Sequence, residues 1–133
     1  MFDFQSPHFL RRILWLDTAT CVATGLLMTV AAGPIAGLTQ LPAPLLRYAG
    51  LSLLPVAAFI ASVASRPMLP AAGVWLIIAG NFAWVAASLW LWLGAGLAPN
   101  TLGTAFILIQ AAAVAVLAEL EYTGLKRSQM SAA

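Results

Sequence analysis

Residues 71–93 read AAGVWLIIAGNFAWVAASLWLWL, an apolar run interrupted near its middle by a single amide side chain, Asn81. At about 1.5 Å of rise per helical residue, a run of this length crosses the roughly 30 Å hydrocarbon layer of a bilayer. Asn81 then lies about 15 Å along the helix, near the bilayer midplane. Because an unpartnered amide is costly in hydrocarbon, we expect this helix to pack against another polar group.

The composition of the whole chain is typical of an integral membrane protein. Of its 133 residues, 62% are hydrophobic and 8% are charged, whereas soluble domains contain about 25% charged residues. A chain of this length has room for four spans and short connections. We therefore predict one domain, residues 1–133, with an all-α fold: an antiparallel four-helix transmembrane bundle.

Three further apolar runs supply the other spans of this bundle. The four predicted spans are residues 12–32, 45–65, 71–93 and 101–122. Residues 33–44, GPIAGLTQLPAP, are rich in glycine and proline but not polar, which is typical of a connection that lies in the membrane interface. Pro55 falls near the middle of the second span, where we expect a kink and a freed main-chain carbonyl.

Basic residues are distributed unevenly between the two sides of the predicted bundle. With four spans, one side carries Arg11, Arg12, Arg66, Lys126 and Arg127, and the other carries Arg47 alone. The positive-inside rule then places both termini in the cytoplasm, and we predict a multi-pass protein of the bacterial inner membrane. The same rule accounts for the net charge of +2 without a nucleic-acid partner.

A second amide, Gln110, lies at a depth similar to that of Asn81, about 14 Å from the start of its span. A direct hydrogen bond between Asn81 and Gln110 is the simplest way to satisfy both side chains. Trp84 and Ser88 lie close to Asn81 along the same helix. These four residues predict either a closed interhelical contact or a polar pocket with Trp84 as its aromatic wall.

Small residues recur every seven positions along the third span, at Gly73, Gly80, Ala87 and Gly94. Small side chains let membrane helices approach closely. The series therefore predicts a packing seam on the same helix that carries Asn81.

Acidic residues occur near the cytoplasmic ends of the first and fourth spans. Asp17 lies about 7–8 Å beyond Arg12 along the helix, and Glu121 shares a helical face with Gln110. We predict an ion-pair cluster that closes the cytoplasmic end, formed by Asp17, Arg66, Glu121, Arg11 and Arg12. Proton-relay chemistry at Asp17 is the alternative. Arg47 has no acidic residue on its side of the membrane, and a lipid phosphate is its expected contact.

Sequence motifs for catalysis or cofactor binding are absent. The single cysteine, Cys21, excludes an intrachain disulfide and a cysteine metal cluster. The single histidine, His8, excludes paired-histidine haem ligation within one chain. No zinc-protease, nucleophile-elbow, phosphate-loop or dinucleotide motif is present. We therefore expect no catalytic residues, no metal and no cofactor, and not an enzyme.

The chain resembles two groups of membrane proteins. Its size and span number resemble the small multidrug resistance transporters, whose family feature is a glutamate deep in the first span; the first span here has none, so the resemblance covers size alone. The arginine-started first span, the segment NFAW at 81–84, and AELEY at 118–122 followed by GLKR at 124–127 resemble four-span bacterial inner-membrane proteins. That second resemblance covers most of the chain and implies no particular activity.

Two classes of function follow from these features. The first, which we expect, is a small structural or accessory membrane protein that binds lipid, a larger membrane protein or a second copy of itself. The second, the alternative, is a small-molecule carrier or sensor with a midplane pocket around Asn81, Trp84 and Gln110. A bundle packed shut at Asn81 would favour the first class, and a polar cavity that reaches Trp84 would favour the second.

Overall fold

The computed structural model describes the backbone of residues 7–132 and the side chains of residues 8–127. Within this part the fold is all-helical, with helices α1 Pro7–Val30, α2 Ala32–Thr39, α3 Ala43–Ala64, α4 Ala71–Leu93 and α5 Thr101–Ala132. All but α2 are long and apolar enough to cross a membrane. The predicted all-α fold with four helices of spanning length is confirmed, and it indicates a multi-pass membrane protein.

Prolines and left-handed residues set the helix ends. After α2, Gln40 adopts a left-handed backbone with φ of 60°, and Pro42 is extended immediately before α3. Pro67 follows the end of α3, where proline disfavours helical geometry in the residue before it. Pro70 precedes α4, and Gly96, with φ of 70°, stands in the turn after it, a conformation that glycine adopts without steric cost.

The first and last helices are longer than the spans predicted from the sequence. The predicted first span starts at residue 12, whereas the helix that contains it begins at Pro7, where serine followed by proline favours a helix start. Helix α5 continues to Ala132, beyond the span end predicted at residue 122. Neither helix contains a proline beyond its first position, so nothing in the local sequence stops it. As a result, Asp17 and Glu121 lie well inside helices rather than at helix ends.

The long helices associate as two pairs. Helix α1 packs along α3, α4 packs along α5, and contacts between α1 and α5 join the two pairs, whereas α3 and α4 barely touch. Helices α1 and α3 approach each other closely at Gly25 and Gly50. A methyl group on Gly25 would lie 2.9 Å from the Gly50 carbonyl oxygen, and one on Gly50 would lie 2.8 Å from that of Gly25. Only glycine at both positions therefore allows this packing of α1 against α3.

Asn100 fixes the start of α5 against α2. Its side-chain oxygen accepts a hydrogen bond of 2.8 Å from the Gly103 N–H, capping the helix. Its side-chain nitrogen donates to the Leu38 carbonyl at 2.8 Å, and its main-chain N–H donates to the Thr39 carbonyl at 3.2 Å. The connection predicted at residues 33–44 thus contains most of a short helix that is tied to the fourth long helix.

Candidate functional site

Asp17 of α1, Asn81 of α4 and Glu121 of α5 meet inside the bundle. The Asn81 Nδ2 donates hydrogen bonds to Asp17 Oδ2 at 2.9 Å and to Glu121 Oε1 at 2.8 Å. The three side chains are only 2%, 7% and 0% exposed, in that chain order. Cys21, one helical turn beyond Asp17, donates its thiol to Asp17 Oδ1 at 3.6 Å. We call these four residues the carboxyl cluster.

The carboxyl cluster contains more hydrogen-bond acceptors than donors. Each carboxylate offers about four lone-pair sites on its two oxygens, and the donors are one amide group and one weakly donating thiol. Glu121 Oε2 is buried and has no hydrogen-bond partner. Burying an acceptor without a donor is costly, so a proton, or a donor from another molecule, would complete the hydrogen bonding here.

Gln110 of α5 forms a second polar cluster with Trp84 and Ser88 of α4. The Trp84 Nε1 donates to Gln110 Oε1 at 2.7 Å, and the Gln110 Nε2 donates to Ser88 Oγ and to the Ile107 carbonyl, both at 2.9 Å. The Ser88 hydroxyl in turn donates to the Trp84 carbonyl at 2.8 Å. In this amide cluster, every side-chain donor group has an acceptor.

Asn81 and Gln110 do not form the hydrogen bond with each other that the sequence predicted. Asn81 bonds Asp17 and Glu121, whereas Gln110 bonds Trp84 and Ser88. The reason is that the partners of Gln110 on α4 lie one and two helical turns beyond Asn81. Trp84, Ser88 and Gln110 are brought together, but Asn81 belongs to the other cluster.

The predicted ion-pair cluster is replaced by a different arrangement. Asp17 and Glu121 contact Asn81 rather than arginine. Arg11 donates instead to main-chain carbonyl oxygens at the end of α3, those of Ala64, Arg66 and Pro67. Asp17 lies about 9 Å beyond Arg11 along the helix, and its carboxyl group reaches Asn81 near the middle of α4. Arg11 therefore binds the end of α3, and the carboxyl groups of Asp17 and Glu121 are buried inside the bundle.

The remaining basic residues of the predicted site, Arg12, Arg47 and Arg66, have exposed side chains. The contact of Arg47 with a lipid phosphate stays a prediction. Among the described residues, no group of three or more histidine, cysteine or acidic side chains is arranged to hold a metal ion.

A cavity of about 480 Å³ lies beside the carboxyl cluster. Its wall includes Asp17, Asn81, Trp84 and Gln110, and thus reaches both polar clusters. Most of the remaining wall is apolar and includes Leu53, Val56, Phe59, Ile60, Leu76 and Ile77. A mainly apolar wall with a few polar groups is typical of small-molecule sites, whose volumes run from roughly 300 to 1,000 Å³.

The cavity opens between α3 and α4, the two neighbouring helices that barely touch. Val56 and Phe59 of α3 and Leu76 of α4 line it, and their side chains are 44%, 40% and 62% exposed. Gly80 also lines it, and a methyl group added there would meet nothing within 4 Å. The predicted small-residue seam on α4 is therefore wrong at Gly80, where the helix borders open space.

Sequence reasoning missed the carboxyl cluster, although two of its signals were visible. Asp17 and Cys21 share a helical face, and so do Glu121 and Gln110. The prediction placed Asp17 and Glu121 near the ends of their spans, because it started the first span at residue 12 and ended the last at residue 122. The cavity itself had no signal in the sequence, since it depends on the weak contact between α3 and α4.

No protein-family model matches the chain, and neither a curated protein nor a solved structure matches it. Function is therefore inferred from the geometry and chemistry of the site.

Proposed function

We propose that the protein binds a small, mainly apolar molecule within the membrane, as a carrier or a sensor. The observation that carries this proposal is the cavity of about 480 Å³ whose wall contains Asp17, Asn81 and Trp84. An engineered apolar cavity of about 150 Å³ already binds benzene, so this cavity has room for a larger molecule. Its apolar wall supplies affinity, and its few polar groups orient the ligand.

The ligand enters from the bilayer in this proposal. The opening between α3 and α4 is bordered by exposed apolar side chains, Val56, Phe59 and Leu76, which face lipid if these helices span the membrane. A molecule dissolved in the hydrocarbon layer reaches the opening without crossing a polar surface. This route favours ligands that partition into membranes.

A structural or accessory role is the competing proposal, and it needs no cavity at the centre of the bundle. Lipid, a larger membrane protein or a second copy of the chain would then be the partner, with Arg47 as a candidate contact for lipid phosphate. We propose binding without a catalytic step, since the sequence contains none of the catalytic motifs considered above.

For the membrane arrangement, we propose an antiparallel four-helix bundle in a bacterial inner membrane with both termini in the cytoplasm. Two contacts support it. Leu10, early in α1, packs against Gly124, late in α5, and Arg11 bonds the carbonyls at the end of α3. Reporter fusions after Pro99 and Arg127 should read outside and inside, respectively. Readings from the same side at both positions would contradict this topology.

The binding proposal is tested by filling the cavity at Gly80. The purified chain is titrated in lipid nanodiscs with two probes of similar shape, neopentylbenzene and benzyltrimethylammonium. Gly80→Leu should weaken binding of whichever probe the native chain binds by about tenfold or more, because apolar pockets discriminate on such volumes. The matched control is Gly37→Leu on α2, where an added methyl group also meets nothing within 4 Å, and its affinity should equal the native value.

Two results would contradict small-molecule binding at this cavity. In one, the native chain binds neither probe; in the other, Gly80→Leu and Gly37→Leu bind equally well. Native mass spectrometry of the chain released from lipid adds a direct observation. A retained small molecule that is lost in Gly80→Leu supports the proposal, and a retained partner chain with no small molecule supports the accessory role.

A further inference from the structure

We infer that the ligand carries a positive charge on an apolar body, as an amine or a quaternary ammonium does, and that it exchanges with a proton held by Asp17 and Glu121. This inference rests on the proposed function and deepens it by naming the ligand class. It is carried by the buried carboxyl pair, the unpartnered oxygen of Glu121, and the cavity whose wall includes Asp17.

The carboxyl pair requires a positive counterpart. One oxygen of Asp17 and one of Glu121 lie within 2.9 Å of the same amide nitrogen, and a second Glu121 oxygen is buried without a partner. Unpaired charge in a low-dielectric interior costs several kcal/mol per ion, and two like charges this close oppose each other's ionisation. A shared proton removes one charge and supplies the missing donor.

The groups that contact the pair, or line the cavity next to Asp17, carry no positive charge. Helix α1 contributes the Cys21 thiol, α4 contributes Asn81 and Trp84, α5 contributes Gln110, and the wall from α3 is apolar. Among the described basic residues, Arg11 is bonded to main-chain carbonyls, and the others lie at exposed positions: His8, Arg12, Arg47, Arg66, Lys126 and Arg127. The positive counterpart is therefore a proton or a cation brought by the ligand.

The cavity wall suits an organic cation. Asp17 lines the cavity directly, so a ligand's charged group can approach a carboxylate. Trp84 lines it as well, and because its N–H is committed to Gln110, its ring is the part that remains for a ligand. A cation near an indole face is attracted to the ring, and the apolar wall accommodates the rest of the molecule.

The exchange conserves charge at the site. When the cation enters, the O–H bond of the protonated carboxyl breaks, its electron pair stays on the oxygen, and the proton passes to water. The cation then neutralises the carboxylate that is left behind. One positive charge replaces another, so binding adds no net charge to the membrane interior.

Proton release on cation binding tests the inference. Benzyltrimethylammonium and neopentylbenzene differ by the replacement of nitrogen with carbon, and neither has an ionisable proton, so any proton released comes from the protein. In weak buffer with a pH dye, the native chain in nanodiscs should release a proton on binding the cation and none on binding the neutral probe. The cation's dissociation constant should rise about tenfold for each unit fall in pH, as one-for-one exchange requires, while the neutral probe's should stay constant.

Substitutions identify the source of the proton. Asp17→Asn and Glu121→Gln should each abolish proton release and the pH dependence of cation binding. Glu119→Gln is the matched control, because Glu119 lies two residues from Glu121 on the same helix but is exposed, and it should behave as the native chain does. If a cluster variant fails to fold, the pH dependence of the native chain decides.

The outcomes separate this inference from the proposed function. Binding of neopentylbenzene alone, or cation binding that releases no proton, would overturn the proton–cation exchange but would not contradict small-molecule binding. Proton release that persists in both cluster variants would overturn the assignment to Asp17 and Glu121. Binding of neither probe would overturn both proposals.

Discussion

The carboxyl cluster and the amide cluster lie on the same two helices, α4 and α5, yet they differ in how their hydrogen bonds are satisfied. In the amide cluster, the side-chain donors of Trp84, Ser88 and Gln110 all have acceptors. In the carboxyl cluster, two acids share one amide group, and an oxygen of Glu121 has no partner.

This difference distinguishes a structural contact from a candidate ligand-binding site. A saturated network stabilises helix packing and has little to offer a ligand, whereas an unsaturated one gains from a proton or a cation. Both clusters border one cavity. The amide cluster thus joins α4 to α5, and the carboxyl cluster is the one to which our proposal assigns the exchange of proton and cation.

The largest expected effect comes from removing the donor that both carboxyl groups share. Asn81→Leu should lower the free energy of unfolding by about 3–5 kcal/mol, because it leaves two buried carboxyl groups without their amide partner. Steric trapping in lipid measures this quantity. Ala83→Leu, an exposed position on the same helix, controls for added volume, and a loss below about 1 kcal/mol at Asn81 would show that the carboxyl groups do not depend on it.

A smaller effect is expected in the amide cluster. Gln110→Leu should cost about 1–2 kcal/mol, since the N–H of Trp84 and the hydroxyl of Ser88 lose a partner but Gln110 is only partly buried. The same steric-trap assay applies. A loss as large as that of Asn81→Leu would contradict the distinction between the two clusters.

Glu121→Gln should change stability by less than about 1 kcal/mol in either direction. Glutamine keeps the oxygen that accepts from Asn81 and brings an N–H donor to a cluster that lacks donors. Glu121→Leu is the matched comparison, and it should be clearly destabilising because it removes that acceptor. If glutamine destabilises as much as leucine, the charge of Glu121 stabilises the fold and the shared proton is contradicted.

The smallest expected quantity is the coupling between Asn81 and Gln110. Because they bond different partners, the double variant Asn81→Leu/Gln110→Leu should equal the sum of the single variants within about 0.5 kcal/mol. The pair Gln110→Leu and Ser88→Ala should instead show coupling, since these side chains bond directly. Strong coupling between Asn81 and Gln110 would restore the direct pairing that their depths predict.

The sequence predicted the fold more completely than the site. Apolar runs of spanning length gave the four long helices, since length and composition determine whether a helix can cross a bilayer. The helix ends were less predictable: α1 and α5 continue beyond their most apolar residues because no proline stops them. The predicted spans therefore placed Asp17 and Glu121 near span ends, whereas both lie about three turns inside their helices.

The carboxyl cluster could not be predicted because it depends on how three helices are rotated against one another. Asn81, Asp17 and Glu121 come from α4, α1 and α5, and small shifts along any of these helices would change their partners. The arginines also misled the prediction, since Arg11 binds main-chain carbonyls at the end of α3 rather than an acid. Main-chain acceptors of this kind leave no pattern in a sequence.

The proton shared by Asp17 and Glu121 is tested most directly by infrared difference spectroscopy of the native chain in lipid. At neutral pH, the carbonyl stretch of a protonated carboxyl group should be present and should disappear when benzyltrimethylammonium is added. The band should be missing from both Asp17→Asn and Glu121→Gln or shifted in them, and unchanged in Glu119→Gln. A spectrum without a protonated carboxyl band, or with a band that the cation leaves unaltered, would contradict the account.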